Sequence, residues 1–297
     1  MDKKTFLQAF WSIFVVAITD IILFIPTFIN FYIYWWMSII AVILLDGLLI
    51  FLVLYGQIRH YKVREKGKEA TTFSRKMFNI VSGLLATIFI FLFDPLFSIF
   101  CLLGLDFAFG MHEVVYAGLK LKMWYTDAFN ALGRQSEEFK PYYASFMALI
   151  SSTIILGIET PLVYIFRAYY IGIQFKWAMF YIYTTTILIW GLGDTTAFLI
   201  GSKYGKHKLP WNKKKSYEGL FGNIIVSIIV SLTFLGIGFI IQWQILNIFY
   251  YVLISIICGI LGGFYESLKL PVDDNFSTPI LAGITLTILM NFFLLII

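Results

Sequence analysis

The sequence predicts an all-α, polytopic membrane protein, because the chain is too apolar and too poor in charge for a soluble globule. Of its 297 residues, 60% are hydrophobic and only 13% are charged, and the mean hydropathy is +0.85. A soluble domain carries about 25% charged residues. Lipid must therefore solvate much of this chain, and helices are the elements that satisfy their own backbone groups there.

Nine apolar segments are long enough for membrane helices, since a span needs about 20 apolar residues. The first is too long for the core of a signal peptide, and no small-residue cleavage site follows it. Asp94-Pro95 separates the third span from the fourth, because proline disfavours helical geometry in the residue before it. The predicted spans are residues 6–29, 31–56, 77–94, 96–119, 142–166, 171–200, 219–241, 244–264 and 279–296.

These spans form one membrane domain over residues 1–297 in our interpretation. Residues 1–56 hold two spans of unassigned role, and residues 74–290 hold the polar clusters described below. The two cysteines, Cys101 and Cys258, lie in apolar runs without metal-ligand spacing, so we expect small buried side chains there.

The basic residues lie on one side of this arrangement. Twenty of the 22 Lys and Arg residues fall at the N-terminus or in the loops 57–76, 120–141, 201–218 and 265–278. Nine alternating spans place all of these segments on the same face. Because basic loops favour the cytoplasm, we predict a cytoplasmic N-terminus, an external C-terminus and a cytoplasmic active face.

The formal net charge of +5 is thus concentrated on one face. Attraction to the anionic head groups of the lipid bilayer is one explanation. A site for an anionic, phosphorylated substrate is the other. Nucleic acid is not an expected partner, since no soluble domain is present to grip a duplex.

The densest polar cluster begins at the end of the sixth span and runs into the seventh. Asp194, Gly201 and Gly205 recur at helical spacing, so this helix has a face with little side-chain bulk. Ser216 is placed to cap the seventh span, whose first N–H groups favour phosphate, and Lys213 to Lys215 stand beside it. The alternative is a solvated basic loop with an ordinary cap. The sequence contains no Walker-type P-loop.

A second cluster precedes the ninth span and contains Glu266, Asp273, Asp274 and Asn275. Adjacent carboxylates and an amide are hard oxygen ligands, which suit an Mg²⁺ ion that bridges phosphates. A polar turn before a helix is the alternative.

Two further segments stand where a span begins. Arg75, Lys76 and Asn79 lie at the start of the third span, where they would grip a phosphate or a lipid head group, or anchor the helix at the membrane surface. Ser277 or Thr278 is expected to cap the ninth span, with a proline in its first turn.

Five acids lie within or near predicted spans, which is costly unless they are paired or functional. They are Asp20, Asp46, Asp106, Glu113 and Glu159. They mark either a pathway through a polar interior or side chains satisfied by neighbouring hydroxyl and amide groups.

The first cluster resembles the shared core of the membrane lipid enzymes that use CTP, which include phosphatidate cytidylyltransferases and the CTP-dependent dolichol, phytol and diacylglycerol kinases. The resemblance lies in Gly193-Asp194-Thr195-Thr196-Ala197, Gly201, Gly205 and Lys214-Lys215-Ser216-Tyr217-Glu218-Gly219. Glu266 followed by Val272 to Pro279 is similar to the Asp-Asn … Pro segment of the dolichol and phytol kinase branch. The signature that cytidylyltransferases carry near this end is missing.

Arg75-Lys76 … Gly83 also looks like that branch's Arg-Lys-x-x-His-x-x-x-Gly. Asn79 stands where histidine is usual, which puts an acid–base role there in doubt. Asparagine still forms hydrogen bonds.

The resemblance implies transfer of the terminal phosphoryl group of CTP to the hydroxyl of a membrane lipid alcohol, with Mg²⁺ as cofactor. It implies catalytic roles for Asp194 and Glu218, and metal ligation by Asp194, Asp273 and Asp274. Further contacts would come from Asn79, Glu266 and Asn275. The implied nucleotide-binding residues are Lys203, Lys206, Lys214, Lys215, Ser216, Gly219, Arg75 and Lys76.

Three other functions stay open at this point. The nearest is a cytidylyltransferase that makes a CDP-lipid. A transporter or channel would use the intramembrane acids, although the sequence shows no internal repeat and no matching pair of broken helices. A scaffold that has lost activity is the third, and a homodimer is left open.

Overall fold

The computed structural model describes residues 3–47, 76, 80, 83–84, 87–123, 126, 142–165, 175–241 and 247–296. This part of the chain is helical, and its only strand-like pairing is an isolated antiparallel bridge between Lys208 and Ser216. The all-α prediction is therefore confirmed. Residues 87–92 are helical, and the longer helices are α1 (Lys3–Phe24, followed by the 3₁₀ turn Ile25–Phe28), α2 (Phe31–Gly47), α3 (Pro95–Leu119), α4 (Tyr143–Ile165), α5 (Phe175–Tyr204), α6 (Tyr217–Ile241), α7 (Ile248–Ser267) and α8 (Asp274–Ile296).

Six segments in the described part are long and apolar enough to cross a membrane, which supports a multi-pass membrane protein. They are Lys4–Phe28, Pro95–Leu119, Ser145–Ile165, Tyr217–Ile241, Ile248–Ser267 and Asp274–Phe293. Helix α2 is apolar but shorter. The predicted spans 31–56 and 77–94 extend into residues outside the described ranges, so the count of nine and the orientation stay predictions.

The sequence predicts α5 as the sixth span, yet α5 is less apolar than the six segments above and is not one of them. Its 30 residues include Thr184, Thr185 and Thr186, which lower its hydropathy although all three are buried. Each hydroxyl donates to the carbonyl four residues back, at 2.5, 2.7 and 3.2 Å. The threonine hydroxyls thus form their hydrogen bonds within the helix, which allows this part of α5 to be buried despite its polar side chains.

The chain divides into two compact units. Unit 1 comprises Met1–Phe78 and Phe97–Ile150, and unit 2 comprises Asn79–Leu96 and Ser151–Ile297. Helices α1, α2 and most of α3 belong to unit 1, whereas α5 to α8 and most of α4 belong to unit 2.

In unit 1, small and aromatic side chains join the first three helices. A Cβ on Gly104 would lie 3.3 Å from the side chain of Thr19, so α3 and α1 are in close contact. The Ser38 hydroxyl donates to the carbonyl of Leu23 at 2.7 Å. Tyr34 stacks on Phe97 with ring centroids 5.9 Å apart, which packs α2 against the start of α3.

In unit 2, glycines allow α6 to approach both of its neighbours closely. A Cβ on Gly259 of α7 would lie 2.6 Å from the backbone nitrogen of Ile228, and one on Gly222 would overlap the side chain of Ile200 on α5. Any larger residue would push the helices apart. This packing brings the end of α5, the start of α6 and the end of α7 together at one end of unit 2.

Candidate active site

The site is built on a backbone contact between the end of α5 and the start of α6. A Cβ on Gly219 would lie 2.8 Å from the carbonyl oxygen of Ala197, and one on Gly205 would lie 2.6 Å from the hydroxyl of Ser216. Side chains at either glycine would force the two helix ends apart. The small-residue face predicted around Gly201 and Gly205 is therefore used for helix packing.

Helix α6 begins with the cap that the sequence predicts. Ser216 is buried, and its hydroxyl accepts a hydrogen bond from the N–H of Gly219 at 3.2 Å. The positive end of the α6 dipole thus lies beside the lysine-rich loop 205–216. Helix starts of this kind favour anionic groups.

Glu218 contacts this same loop from the first turn of α6. Its carboxylate lies 2.7 Å from Nδ1 of His207 and accepts from the backbone N–H of His207 at 3.3 Å. The N–H of Tyr217 donates to the carbonyl of His207 at 2.9 Å, and that of Leu209 donates to Lys215 at 3.1 Å. Glu218 therefore holds the loop against α6, which is a positioning contact that the sequence did not predict.

Two residues that the sequence pattern does not mark as functional, Trp211 and Asn212, hold the loop against the end of α7. The indole N–H of Trp211 donates to the hydroxyl of Ser267 at 3.1 Å, and the Asn212 amide donates to the carbonyl of Ser267 at 3.2 Å. The signal for them was an aromatic and an amide residue, next to a proline, in a loop otherwise rich in lysine. Both residue types need hydrogen-bond partners when they pack against other residues.

A lysine from the loop joins acids from two other helices. The Nζ atom of Lys215 lies 2.8 Å from a carboxylate oxygen of Glu266 and 3.4 Å from one of Asp274. It also donates to the backbone carbonyl of Glu266. The side chain of Glu266 is only 7% exposed, whereas that of Asp274 is 48% exposed. We call Lys215, Glu266 and Asp274 the lysine–acid cluster.

The charge state of Lys215 follows from its surroundings. Burial lowers the pKa of Lys215, but the charges of Glu266 and Asp274, the hydrogen bond to Glu266 and the charge of Asp194 together raise it above its usual value. The ammonium group is therefore charged at neutral pH. The charge of Asp194, on α5, also acts on Lys215. Lys215 therefore interacts with acidic residues from three helices, α5, α7 and α8.

The start of α8 differs from the prediction. The Asp273 carboxylate accepts from the N–H of Asn275 at 2.8 Å, and α8 begins at Asp274. The prediction that Ser277 or Thr278 caps this helix is therefore wrong, because Asp273 already accepts a first-turn N–H and the helix starts before both residues.

Pro279 then lies inside α8, where it lacks the N–H that would donate to the carbonyl of Asn275. The hydroxyl of Ser151, on α4, donates to that carbonyl instead, at 3.1 Å. This contact lets the helix continue past the proline.

The other predicted nucleotide-binding residues are not part of the lysine–acid cluster as described. Lys203, Lys206 and Lys214 are exposed, and Nζ of Lys203 lies 5.1 Å from the ring centroid of Tyr204. Arg75 and Asn79 fall outside the described residues. Lys76 is half-buried and belongs to unit 1.

The described residues provide a partial donor set for a metal ion. Across the described ranges, no group of three or more His, Cys, Asp or Glu side chains is placed to hold one. Asp273 serves as a helix cap, and Lys215 supplies the cation between Glu266 and Asp274. Mg²⁺ in phosphoryl-transfer sites needs only one or two carboxylates besides phosphate oxygens and water. Asp194 and Asp274 would supply that smaller number of carboxylates, and the set Asp194, Asp273 and Asp274 stays a prediction.

Comparisons with known proteins add no further assignment. No family model matches the chain, and no curated protein or solved structure matches it. The residues and contacts of the chain itself are therefore the basis for its proposed function.

Proposed function

We propose that this protein is a membrane phosphotransferase that moves the terminal phosphoryl group of CTP to the hydroxyl of a lipid alcohol of the dolichol or polyprenol type. The supporting observation is the lysine–acid cluster, in which Lys215 lies 2.8 Å from Glu266 and 3.4 Å from Asp274. Three separate segments contribute to it beside the capped start of α6. Phosphoryl transfer depends mainly on such positioning and on neutralisation of charge.

The nucleotide would bind with its phosphates near the start of α6. The dipole of α6 and the exposed Lys206 and Lys214 supply positive charge there. Lys215 already neutralises two acids, so that phosphate oxygens approach with less repulsion. The loop 205–216 is held on both sides, by Glu218 and by Ser267, which keeps these lysines in place.

Mg²⁺ bound with CTP would neutralise negative charge on the phosphate oxygens. We assign Asp274 and Asp194 as the carboxylates that would hold it. Of the two predicted catalytic residues, we assign Asp194, and not Glu218, to accept the proton of the lipid hydroxyl. The reason is that the Glu218 carboxylate already contacts Nδ1 of His207 at 2.7 Å. A general base is optional in this chemistry, since the transition state requires little proton transfer.

The lipid acceptor would enter from the bilayer. Helices α6, α7 and α8 are each long and apolar enough to cross a membrane, and the cluster lies where one ends and the next begins. This supports a site at the boundary between water and lipid, where CTP and a lipid hydroxyl meet.

The excess of basic residues supports a cytoplasmic position for that face. Single cysteines introduced into loops 205–216 and 268–273, labelled with an impermeant reagent, test whether both loops lie on the cytoplasmic face. Labelling of the two loops from opposite sides would overturn the proposed site.

The activity test uses the purified protein with Mg²⁺ and, in turn, dolichol, phytol and diacylglycerol. CTP labelled at the γ phosphorus should label one lipid and release CDP. With phosphatidate in place of the alcohols, label transferred from the α phosphorus of CTP to the lipid, with release of pyrophosphate, would show a cytidylyltransferase instead. Solute flux in liposomes without CTP turnover would show a transporter.

Asp194→Asn should lower the rate by roughly 10²- to 10³-fold, which is typical for loss of one electrostatic contact to the transition state. Asp94→Asn, which makes the same change away from the cluster, should keep the wild-type rate. Full activity in Asp194→Asn would overturn the assignment of this residue.

A further inference from the structure

Unit 1 contains a cleft among α1, α2 and α3 that the proposed phosphotransfer does not use. The space that its walls border, counted together with the open space at its mouth, is about 540 Å³. Because the cleft is partly open, an elongated ligand could occupy it with one end and extend out of it.

Two carboxylates line this cleft. Asp20 of α1 and Asp46 of α2 are both half-buried, and the charge of Asp46 acts on Asp20. The lining residues that the structure describes include no Lys and no Arg. Two like charges in apolar surroundings repel strongly, and such acids are costly in a membrane span unless they meet a cation.

The other polar groups of the cleft are engaged with the protein itself. The Thr19 hydroxyl donates to the carbonyl of Val15 at 2.9 Å, and the Tyr142 hydroxyl lies 2.8 Å from that of Thr126. Nδ1 of His112 lies 2.6 Å from the carbonyl of Ala108. The two aspartates are thus the groups that determine which charge the cleft favours.

We propose that this cleft binds a ligand with one cationic nitrogen on an apolar body, the chemistry of a long-chain amine. Asp20 and Asp46 would receive the ammonium group, and the aromatic rings of Phe109 and Tyr142 add cation–π attraction. The rest of the lining is largely aliphatic and suits an alkyl chain. A bare metal ion fits less well, because two carboxylates leave several of its coordination positions to water, and the mostly apolar lining offers those waters few hydrogen-bond partners.

This proposal is independent of the phosphotransferase proposal. The cleft lies within unit 1, whereas the lysine–acid cluster lies within unit 2. Failure of one therefore leaves the other standing.

The first test uses the wild-type protein in nanodiscs of uncharged lipid. Dodecylamine, dodecanol and dodecanoate differ only in the head group, and native mass spectrometry counts how many molecules each protein retains. We expect one retained dodecylamine, bound roughly tenfold more tightly than dodecanol, with dodecanoate weakest. Equal retention of the amine and the alcohol would overturn the proposal.

The second test removes the charges. Asp20→Asn/Asp46→Asn should weaken dodecylamine binding roughly tenfold while dodecanol binding stays unchanged. Asp94→Asn, with the same chemical change in the other unit, should bind like the wild type. If the double variant does not fold, the single variants Asp20→Asn and Asp46→Asn serve, and each should weaken the amine. Wild-type affinity in the variants would overturn the proposal.

Discussion

The two groups of acids in this protein differ in the source of their counter-charge. In unit 2, Glu266 and Asp274 share the ammonium group of Lys215, which the chain itself supplies. In unit 1, Asp20 and Asp46 line a cleft whose described lining carries no basic side chain. A built-in cation makes the acids part of the folded structure, whereas its absence leaves them able to gain from a cation that comes from outside.

The largest effect that this comparison predicts is on Lys215. Lys215→Met would leave Glu266, which is only 7% exposed, without its cationic partner. We expect a loss of about 2–4 kcal/mol in the free energy of unfolding, somewhat below a fully buried pair because Lys215 is partly exposed. Thermal or denaturant unfolding in detergent measures it.

Lys214→Met is the matched control, since Lys214 is exposed, and it should change stability by less than about 0.5 kcal/mol. The double variant Lys215→Met/Glu266→Gln should recover part of the loss. Equal stability of the two single lysine variants would contradict the view that Lys215 is a structural cation.

The two acids of the cluster should differ from each other. Glu266→Gln removes the nearer and more buried partner and should cost about 1–3 kcal/mol. Asp274→Asn removes a partner that is 48% exposed and 3.4 Å away, so it should cost less than about 1 kcal/mol. Unfolding measurements on both variants test the order. A larger loss for Asp274→Asn would show that Asp274 has a further role in starting α8.

The pH dependence of stability tests the same cluster. Because the folded pKa of Lys215 lies above its ordinary value of 10.5, its contribution is complete below that value. The contribution is lost as the pH rises through the folded pKa. The difference in melting temperature between the wild type and Lys215→Met should therefore shrink only in alkaline solution.

Lys215→Arg is the control for this measurement, since a guanidinium group stays charged at high pH. Its difference from Lys215→Met should persist in alkaline solution. A wild-type difference that is already lost near neutral pH would contradict the charged state of Lys215.

The smallest effect is expected in unit 1, and it should have the opposite sign. Asp20→Asn removes one of two carboxylates that repel each other, so the ligand-free protein should keep its stability or gain up to about 1 kcal/mol. Unfolding of delipidated protein measures this. A loss of more than about 1 kcal/mol in the free energy of unfolding would show that the chain itself supplies a cation to Asp20.

Local chemistry could be predicted from the sequence, and contacts between distant segments could not. The α6 cap at Ser216 follows from a hydroxyl placed just before an apolar run. Three successive lysines, in contrast, look alike in the sequence. Only the packing of α7 and α8 selects Lys215, whose partner Glu266 lies 51 residues away.

The intramembrane acids show the same limit. The sequence marked five of them alike, but only Asp20 and Asp46 line the cleft. Glu113 instead accepts from the N–H of Tyr142 at 3.0 Å, and Glu159 is fully buried near the hydroxyl of Thr186. The neighbours that separate these cases come from other helices, which the local pattern does not contain.

The hydrogen bond from Ser151 to the carbonyl of Asn275 means that Ser151 and Pro279 form a compensating pair. Ser151 stabilises α8 in this way only while position 279 is a proline. An alanine there would donate its own N–H to the carbonyl of Asn275. Ser151→Ala should therefore be harmful in the natural sequence and tolerated beside Pro279→Ala. Substitutions at these two positions have to be interpreted jointly.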